Sequence, residues 1–470
     1  MLGHMTIAGK PVAATDWTEV ENPARAEVFA KVPSASGAEV DAAVSAAADA
    51  ASDWAGLSQP ERQNLLRACG DALAGHLDDV AELVTQEQGK PLRDARAEVG
   101  LSADWFHRTA ELSLEPQEYV RDDTAHITAV RVPHGPVAAI APSNFPIILA
   151  VVKIAPALLA GNTVVLKPSP LTPLSGLRMA EMFASVLPSG VLNAVSGGAD
   201  TGTALVTHPD IRMVSFTGSD TTGRAIARAA SSDLRHVVLE LGGNDACLIL
   251  PGTDVSAVAP AVFAAAMRNC GQFCAAVKRV YVPRDQAAQL ADALAAEADS
   301  VVLGDGLESM TDLGPLVSGD QRAKVSALVA AAVHAGGRVV RGGQAPQRPG
   351  YFFTPTIVTD LPPGTALEKE EQFGPVIPVI AYDSVPEAVA RANDTRFGLG
   401  GSVWGSVEAA RAVAAGLECG TVWINTHGDL RYDVPFGGHG QSGVGLEYGY
   451  WGLLEYTRVK VLNVAEGPAA

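Results

Sequence analysis

Apolar residues recur in the first part of the chain at the spacing of an amphipathic helix. Residues 40–55 and 59–74 are rich in alanine, and their apolar positions repeat at intervals of about 3.6 residues. Pro60 lies in the first turn of the second segment, where proline is well tolerated. Polar and apolar residues then alternate across residues 119–132, with few side chains suited to a core. We predict two helices followed by an extended arm.

From residue 135 onward, short apolar runs alternate with helix-length segments. The runs read as strands, and they return at intervals of about 25 residues, as in a β-α-β-α-β chain. Such a rhythm predicts a doubly wound parallel sheet, and the continuous apolar character of the strands indicates burial on both faces. The predicted strands are 137–140, 164–166, 192–195, 214–216 and 237–239, and the predicted helices are 147–160, 201–206 and 221–230, with another after residue 173.

A second alternation of the same kind begins at residue 246. It predicts strands at 246–250 and 279–282 and helices at 255–267 and 285–296. Further apolar runs at 338–340, 376–380 and 420–424 extend this pattern toward the C-terminus. We therefore predict two α/β domains that meet near residue 242.

Composition and charge exclude several classes of function. The chain has 470 residues, with 34 Lys and Arg against 52 Asp and Glu, which gives a formal net charge of -18. Such an acidic chain has no broad field that would attract nucleic acid or an anionic membrane. No run of apolar residues is long enough for a transmembrane helix, and the N-terminus has no apolar signal core. We expect neither nucleic acid nor membrane as a partner.

The cysteine count points to a reducing compartment. Five cysteines, an odd and sparse number for this length, do not suit a disulfide framework, so we expect a cytoplasmic protein. Cys274 follows a predicted helix and Gly271, a position where a thiol is exposed and can ionise. A buried cysteine that acts as a small apolar side chain is the alternative interpretation. Cys270 lies four residues earlier, but no histidine or cysteine cluster completes a metal site.

Two further residues carry possible chemistry at the ends of predicted strands. Glu240 ends an apolar strand and is followed by Gly242 and Gly243, which would let a ligand approach the backbone closely. Its alternative role is a paired carboxylate at a strand end. Asn144 lies between a strand and a helix, where it suits either a helix cap or a donor to a developing oxyanion.

Three further segments stand out, two of which suggest contacts to an anionic ligand, although each of the three also fits a solvated loop. Lys167 ends a predicted strand, in reach of a ribose hydroxyl or a phosphate. The turn at Gly218 and Ser219 leads into a helix and can present backbone N–H groups to a pyrophosphate. The third segment contains Glu371 and Phe373.

Taken together and in this order, the motifs resemble the aldehyde dehydrogenase superfamily. The resemblance extends over nearly the whole chain, from residues 21–24 to residues 455–457. Many ordered matches carry it, including Gly161-Asn162-Thr163-Val164-Val165, Leu239-Glu240-Leu241-Gly242-Gly243, Gly271-Gln272-Phe273-Cys274 and Pro435-Phe436-Gly437-Gly438.

The resemblance implies a catalytic role for three of the residues above. Cys274 would attack the aldehyde carbonyl, and Asn144 with the Cys274 backbone N–H would stabilise the oxyanion. Glu240 would activate the water that hydrolyses the thioester and releases a carboxylic acid. Phe273 would line the substrate tunnel, and His427 at its entrance would favour polar or hydroxylated aldehydes.

The same resemblance implies NAD as the cofactor, with NADP possible. Many members of the family that prefer NAD have glutamate where Pro170 stands, and its absence removes a group that would repel a 2′-phosphate. Many members also have tryptophan where Ser143 stands, so this wall of the site is smaller here. The implied cofactor contacts are Lys167, Ser169, Gly218, Ser219, Gly242, Glu371 and Phe373.

The expected fold class is α/β and aldehyde dehydrogenase-like, with a Rossmann-type cofactor domain, an α/β catalytic domain and a small oligomerisation arm. The predicted NAD(P)-binding domain comprises residues 1–114 and 134–242, and the catalytic domain comprises residues 243–435. Residues 115–133 and 436–470 are predicted to bridge subunits of a homodimer or homotetramer by adding strands to a neighbour.

Two alternatives to this function remain open. One is a CoA-acylating semialdehyde dehydrogenase, which Glu240 disfavours because a base that activates water suits hydrolysis. The other is a cofactor-binding homologue without catalysis, against which the combination of Cys274, Glu240 and Asn144 argues.

Overall fold

Continuous apolar runs form the parallel strands of two sheets. The structure is a computed structural model, and it describes residues 2–465. The strands are β1 Met5–Ile7, β2 Lys10–Val12, β3 Asp16–Asn22, β4 Glu27–Ser34, β5 Gln117–Arg121, β6 Ala125–Pro133, β7 Val137–Ile140, β8 Val164–Lys167, β9 Leu192–Ala194, β10 Met213–Thr217, β11 His236–Glu240, β12 Ala246–Ile249, β13 Arg279–Pro283, β14 Arg338–Arg341, β15 Thr356–Thr359, β16 Val376–Tyr382, β17 Phe397–Gly398, β18 Gly400–Trp404, β19 Thr421–Ile424, β20 His439–Gly440, β21 Gly443–Val444 and β22 Thr457–Ala465.

Helices cover both sheets, and they begin where the sequence provides capping residues. At the start of α1 and α2, Ser36 and Ser58 each form a capping box with a glutamate three residues later, Glu39 and Glu61. The helices are α1 Gly37–Gly56, α2 Gln59–Gly75, α3 Leu77–Gln88, α4 Leu92–Thr109, α5 Ile148–Leu159, α6 Leu174–Phe183, α7 Ala199–Thr207, α8 Asp220–Ser231, α9 Val255–Met267, α10 Ala287–Ser300, α11 Gly319–His334, α12 Ala366–Lys369, α13 Val385–Asn393, α14 Val407–Ala414 and α15 Gly449–Glu455.

The first sheet contains the predicted doubly wound parallel strands. Its order is β2-β1-β9-β8-β7-β10-β11-β21, and the strands from β9 to β11 run parallel. The side chains of β7, β8 and β10 are buried on both faces, as their uninterrupted apolar runs require. The carboxyl ends of β7, β8, β10 and β11 therefore meet at one edge, where ligands bind in this architecture.

The second sheet begins directly after the first one ends. Its order is β14-β15-β16-β13-β12-β18-β19, and all of its pairings are parallel except β14 with β15. Five residues separate β11 from β12, so the chain crosses from one sheet to the other between Glu240 and Ala246. The α/β fold class is confirmed, and the domain boundary near residue 242 stays a prediction.

The predicted arm differs from the structure in two respects. Residues 119–132 form two strands rather than one, because the Asp122 carboxylate accepts hydrogen bonds from the backbone N–H groups of Thr124 and Ala125 and turns the chain between β5 and β6. Strand β22 pairs with β6 along its whole length. The segment 436–470, predicted only to bridge subunits, also contributes β21 to the first sheet. Residues 466–470 of that segment, and residue 1, lie outside the described residues.

The search for a membrane span gave a negative finding. Within residues 2–465, no helix combines the length and the apolar character that crossing a bilayer requires.

Candidate active site

A strained turn presents Cys274 to the space between the two sheets. Helix α9 ends at Met267, and after Arg268 the residues Asn269, Cys270 and Gly271 have left-handed φ angles of 51°, 57° and 72°. A Cβ atom at Gly271 would overlap the carbonyl oxygen of Gly374, so this position requires glycine. Left-handed conformations cost free energy for other residues and are concentrated at functional sites.

Asn144 is tied to the same turn. Its side-chain amide donates to the carbonyl of Gln272 at 3.0 Å, and the Asn269 amide donates to the carbonyl of Asn144 at 2.8 Å. An amide group has two hydrogens, and the bond to Gln272 uses one of them. Asn144 and Cys274 line one cavity of about 650 Å³. The structure thus brings the predicted nucleophile and the predicted oxyanion donor together.

The Cys274 thiol lies among acidic groups. Burial raises its pKa far above the usual range, and the nearby carboxyls of Glu240, Glu371 and Asp245 raise it further. Lys278 acts in the opposite direction and lowers this pKa. Because the thiolate is the nucleophilic form, this positive charge bears directly on reactivity.

Glu240 ends β11 and lies deeper than the thiol. Its Oε1 atom is buried and has no hydrogen-bond partner among residues 2–465, and it faces Gly437 and Gly443. Burial raises its pKa well above the ordinary value, the Glu447 carboxylate raises it further, and the Lys153 ammonium opposes the increase. A carboxyl in this environment exchanges its proton at a higher pH than an exposed glutamate.

A buried ion pair supports this carboxyl, and the sequence prediction did not include it. The Lys153 Nζ atom lies 2.6 Å from Glu447 Oε1 and also donates to Thr217 Oγ1 at 2.6 Å. Both charged side chains are closed to solvent. Lys153 interrupts the apolar run of α5, and this isolated charge is the sequence signal from which a buried partner could have been predicted.

Aromatic side chains form an apolar cluster against which Cys274 packs. Phe273 packs edge-to-face on Phe145 with ring centroids 5.6 Å apart, and Phe436 stacks on Tyr448 at the same separation. Leu430 completes this cluster. We call these five side chains the aromatic box. That Phe273 lines the substrate tunnel stays a prediction, and the sequence analysis did not single out the other four side chains, which come from separate parts of the chain.

The Arg268 guanidinium closes one side of the box. It lies 4.9 Å from the Phe273 ring centroid and 5.7 Å from that of Phe145, and its Nη1 donates to the carbonyl of Gly428 at 3.3 Å. Arg268 itself is exposed. It also borders a second cavity of about 1070 Å³ together with Phe145 and Ile148. One side of the box therefore leads past a positive charge to solvent.

The prediction that His427 lines the substrate entrance is wrong. Its side chain is fully buried beside the Trp423 ring, with centroids 4.8 Å apart. The Nε2 atom lies 3.2 Å from the carbonyl oxygen of Ala275 and 3.6 Å from a carboxylate oxygen of Asp245. The imidazole ring of His427 packs on Trp423 in the interior, and it contacts the backbone of Ala275, which follows Cys274.

The predicted cofactor contacts line two adjoining cavities at the carboxyl edge of the first sheet. Lys167 and Ser169 border the larger one, of about 1470 Å³, and Gly218 borders both. The smaller one is the cavity of Cys274, and its wall includes the rest of the predicted set, Ser219, Gly242, Glu371 and Phe373. Together the two cavities form a cleft that leads from Lys167 to the thiol.

The cleft has unused hydrogen-bonding capacity that suits a dinucleotide. Burial lowers the pKa of Lys167 to about 8, and among residues 2–465 its ammonium has only a long contact, 3.4 Å, to the carbonyl of Pro168. Ser219 caps α8, whose first N–H groups favour an anion. Glu371 accepts a bond from the Gly243 N–H at 3.2 Å. These residues fit a nicotinamide dinucleotide.

The described part of the chain contains no group of three or more His, Cys, Asp or Glu side chains that would hold a metal ion.

Comparison with known proteins gives consistent results. The family model described as the aldehyde dehydrogenase family matches residues 12–462. The phenylacetaldehyde dehydrogenase of Pseudomonas fluorescens is 39% identical over 98% of this chain and 96% of its own length. The succinate-semialdehyde dehydrogenase [NADP(+)] of Escherichia coli is 36% identical over 95% of this chain and 94% of its own length. The NAD+ complex of an aldehyde dehydrogenase from Bacillus cereus superposes with a TM-score of 0.97 at 36% identity, covering 99% of this chain and 97% of that one.

Proposed function

Because this chain belongs to the aldehyde dehydrogenase family, we propose that it oxidises an aldehyde to a carboxylic acid with NAD(P)+ and that Cys274 carries the covalent intermediate. One observation supports the assignment of residues above all others. The thiol of Cys274, the amide of Asn144 and the contacts of a dinucleotide cleft border one cavity, and Glu240 lies behind it.

In the first half of the reaction, the Cys274 thiolate attacks the carbonyl carbon. The carbonyl oxygen gains the negative charge, and the Asn144 side-chain N–H and the Cys274 backbone N–H donate hydrogen bonds to it. The product is a thiohemiacetal. The bond between Asn144 and Gln272 holds the amide in place before the substrate arrives, so the donor needs little reorganisation.

The cleft already described would hold the cofactor. Lys167 and Ser169 would hold the adenosine end, the N–H groups at Ser219 would hold the pyrophosphate, and Glu371 would hold the nicotinamide ribose beside Phe373. When bound, NAD(P)+ supplies the acceptor for the hydride that converts the thiohemiacetal into a thioester.

In the second half, Glu240 accepts a proton from water, and the water oxygen attacks the thioester carbonyl. The C–S bond breaks, the carboxylic acid leaves, and Cys274 is free again. The raised pKa of Glu240 brings its titration toward the working pH, which suits a base that must take and return a proton. This buried base favours hydrolysis over transfer of the acyl group to CoA.

We propose NAD as the main cofactor, with NADP also accepted. Among the described residues that line the larger cavity, Lys167 is the single charged one, so no carboxylate there would repel a 2′-phosphate. Pro170 borders the same cavity where many relatives that prefer NAD have glutamate. The test is binding of NADH and NADPH by fluorescence to wild type and Lys167→Met. If Lys167→Met binds both NADH and NADPH more weakly and to an equal extent, the assignment of Lys167 as a cofactor contact is supported. An unchanged affinity for both contradicts that assignment.

The aromatic box favours an aryl or arylalkyl aldehyde as substrate. Phe145, Phe273, Phe436 and Tyr448 belong to the apolar cluster against which Cys274 packs, and an aromatic substrate held beside these rings would gain apolar burial and ring contacts. Arg268 at the side of the box would donate a hydrogen bond to a polar substituent on the substrate ring that points outward. The similarity to a phenylacetaldehyde dehydrogenase supports the same class of substrate.

A homodimer or homotetramer is proposed from the edge formed by β22. Val459 and Val461 are more than half exposed on this strand, and exposed apolar side chains at a sheet edge favour pairing with another chain. Light scattering of wild type and of Val459→Lys/Val461→Lys tests this, and an oligomer that survives both charges contradicts it. The cytoplasmic location stays a prediction.

The decisive experiment measures NAD(P)H formation from a panel of aliphatic, aromatic and hydroxylated aldehydes. Wild type is compared with Cys274→Ala, and Cys419→Ala is the matched control, because Cys419 is the other half-buried thiol among the described residues. Turnover that is lost only in Cys274→Ala supports the function. Turnover that survives in Cys274→Ala contradicts it, and release of acyl-CoA in the presence of CoA would favour the acylating alternative.

A further inference from the structure

Lys278 is a fully buried lysine with an incomplete set of partners. Only 1% of the residue is exposed. Its Nζ atom donates to the carbonyl of Gly271 at 2.9 Å, and no carboxylate oxygen among residues 2–465 lies within 4.0 Å of it. An ammonium has three donor hydrogens and a charge that is costly to bury unless it is compensated.

Two other deeply buried lysines meet that cost with a carboxylate partner, whereas the buried Lys167 lies in the cleft proposed for the cofactor. Lys90 lies 2.5 Å from a Glu98 carboxylate oxygen, and Lys153 lies 2.6 Å from one of Glu447. Both pairs are closed to solvent. Lys278 is buried to the same degree but touches only a neutral carbonyl, so its counter-charge lies further away or forms during the reaction.

The fold places this ammonium beside the nucleophile loop. Lys278 follows Cys274 by four residues, and its side chain folds back to Gly271, three residues before the thiol. Its backbone N–H donates to the Asp245 carbonyl at 3.0 Å, which fixes the start of the side chain. The Phe373 ring, with its centroid 5.2 Å from Nζ, covers the other side.

The charges that face the thiol come from every neighbouring segment. Glu240 on β11, Asp245 before β12 and Glu371 after α12 all oppose ionisation of Cys274, and Lys278 favours it. The ammonium in turn is influenced by Glu371, Asp245 and Cys274, which stabilise its charge, and by Lys324 on α11, which opposes it.

We propose that the Lys278 ammonium is the internal counter-charge of the Cys274 thiolate. The thiol proton leaves to solvent through the cavity, Lys278 keeps its own proton, and the new negative charge is compensated by a cation that the loop already holds nearby. The proposal rests on Cys274 being the nucleophile. It assigns Lys278 a positioning role through electrostatics rather than contact with the substrate.

The test is the pH dependence of Cys274 alkylation by iodoacetamide in the full-length protein without cofactor, with the modified residue identified by peptide mass spectrometry. In Lys278→Met the rising limb shifts to higher pH by at least about one unit, so alkylation at a fixed pH on that limb slows at least about tenfold. Lys278→Arg keeps the charge and restores most of the rate. Lys10→Met removes an exposed lysine charge on β2, outside the Cys274 cavity, and leaves the profile in place.

An unchanged profile in Lys278→Met would overturn the proposal. If that variant does not fold, as judged by thermal unfolding, Lys278→Gln replaces it, because its amide can still donate to Gly271. The proportion of label at Cys419 controls for general changes in reactivity. If wild-type Cys274 alkylates no faster than Cys419 at any pH, the assigned nucleophile itself is wrong, which separates failure of the proposed function from failure of the role of Lys278.

Discussion

Replacing Glu447 by glutamine removes the negative half of the buried pair that acts on Glu240, the proposed catalytic base. The Lys153 ammonium keeps Thr217 Oγ1 and the new amide oxygen as acceptors, but its charge is no longer compensated. At the observed separation of 2.6 Å, the gross attraction is about 6 kcal/mol for an effective dielectric constant of about 20. Breaking buried pairs typically destabilises proteins by about 3–5 kcal/mol, and the retained amide contact places Glu447→Gln near the lower limit.

The same substitution has an effect on chemistry with a definite sign. The Glu447 charge raises the pKa of Glu240, and the Lys153 charge lowers it. Without the Glu447 charge, Glu240 ionises at a lower pH, so its base form is present further into the acid range. The pH at which thioester hydrolysis reaches half of its maximum rate therefore falls.

Two assays check these expectations. Urea unfolding followed by tryptophan fluorescence measures stability for Glu447→Gln, Lys153→Met and the double variant, and the double variant loses less than the sum of the two single losses. Decay of an acetyl-enzyme formed from p-nitrophenyl acetate, measured against pH, isolates hydrolysis from cofactor chemistry. A Glu447→Gln variant as stable as wild type, or a profile that moves to higher pH, would refute the reasoning.

Three further predictions concern other parts of the molecule. Asn144→Ala removes an oxyanion donor and slows the burst of NADH formation in rapid mixing by about 10²–10³, with thermal unfolding as the control for folding. Burial raises the pKa of Glu87 to about 7 from 4.5, so between these pH values the folded chain retains a proton that the unfolded chain has lost. The free energy of unfolding therefore falls by about 3 kcal/mol as the pH rises through that window. Urea unfolding at pH 5 and pH 8 measures this difference, and Glu87→Gln makes it smaller. Gly271→Ala forces a Cβ atom against Gly374 at a φ of +72°, and we expect a loss of at least about 1–2 kcal/mol together with a smaller burst amplitude; wild-type stability would contradict the strain argument.

Sequence patterns predict the parallel strands well, because a strand buried on both faces is apolar without interruption. Strand β7 and helix α9 have the predicted bounds. The predictions were incomplete where an element is short or only weakly amphipathic. The hairpin β3–β4 mixes exposed and buried positions without a continuous apolar run, and the two residues of β21 are too few to show any period. Such elements are specified by the partner strand rather than by their own sequence.

The residues of the candidate site also fall into those that a local sequence motif predicts and those that it does not. Cys274, Asn144 and Glu240 stand in local motifs, and the structure brings them around one cavity or directly behind it. Pairing of Lys153 with Glu447 joins residues 294 positions apart, and no local pattern contains that information. His427 was placed at the entrance because it lies in a loop, but packing on Trp423 decided its position instead.

The pairing of β21 with β11 has a consequence for the order in which the chain folds during synthesis. Glu240 lies opposite Gly443, about 200 residues later, and Leu239 lies opposite Val444. A ribosome therefore synthesises every strand of the second sheet before it synthesises the strand that completes the first one. Until then the end of β11 has an open edge, and the surroundings of the Glu240 carboxyl are incomplete. A nascent chain with both sheets formed would still lack a competent site, so activity arises only in the last stage of synthesis.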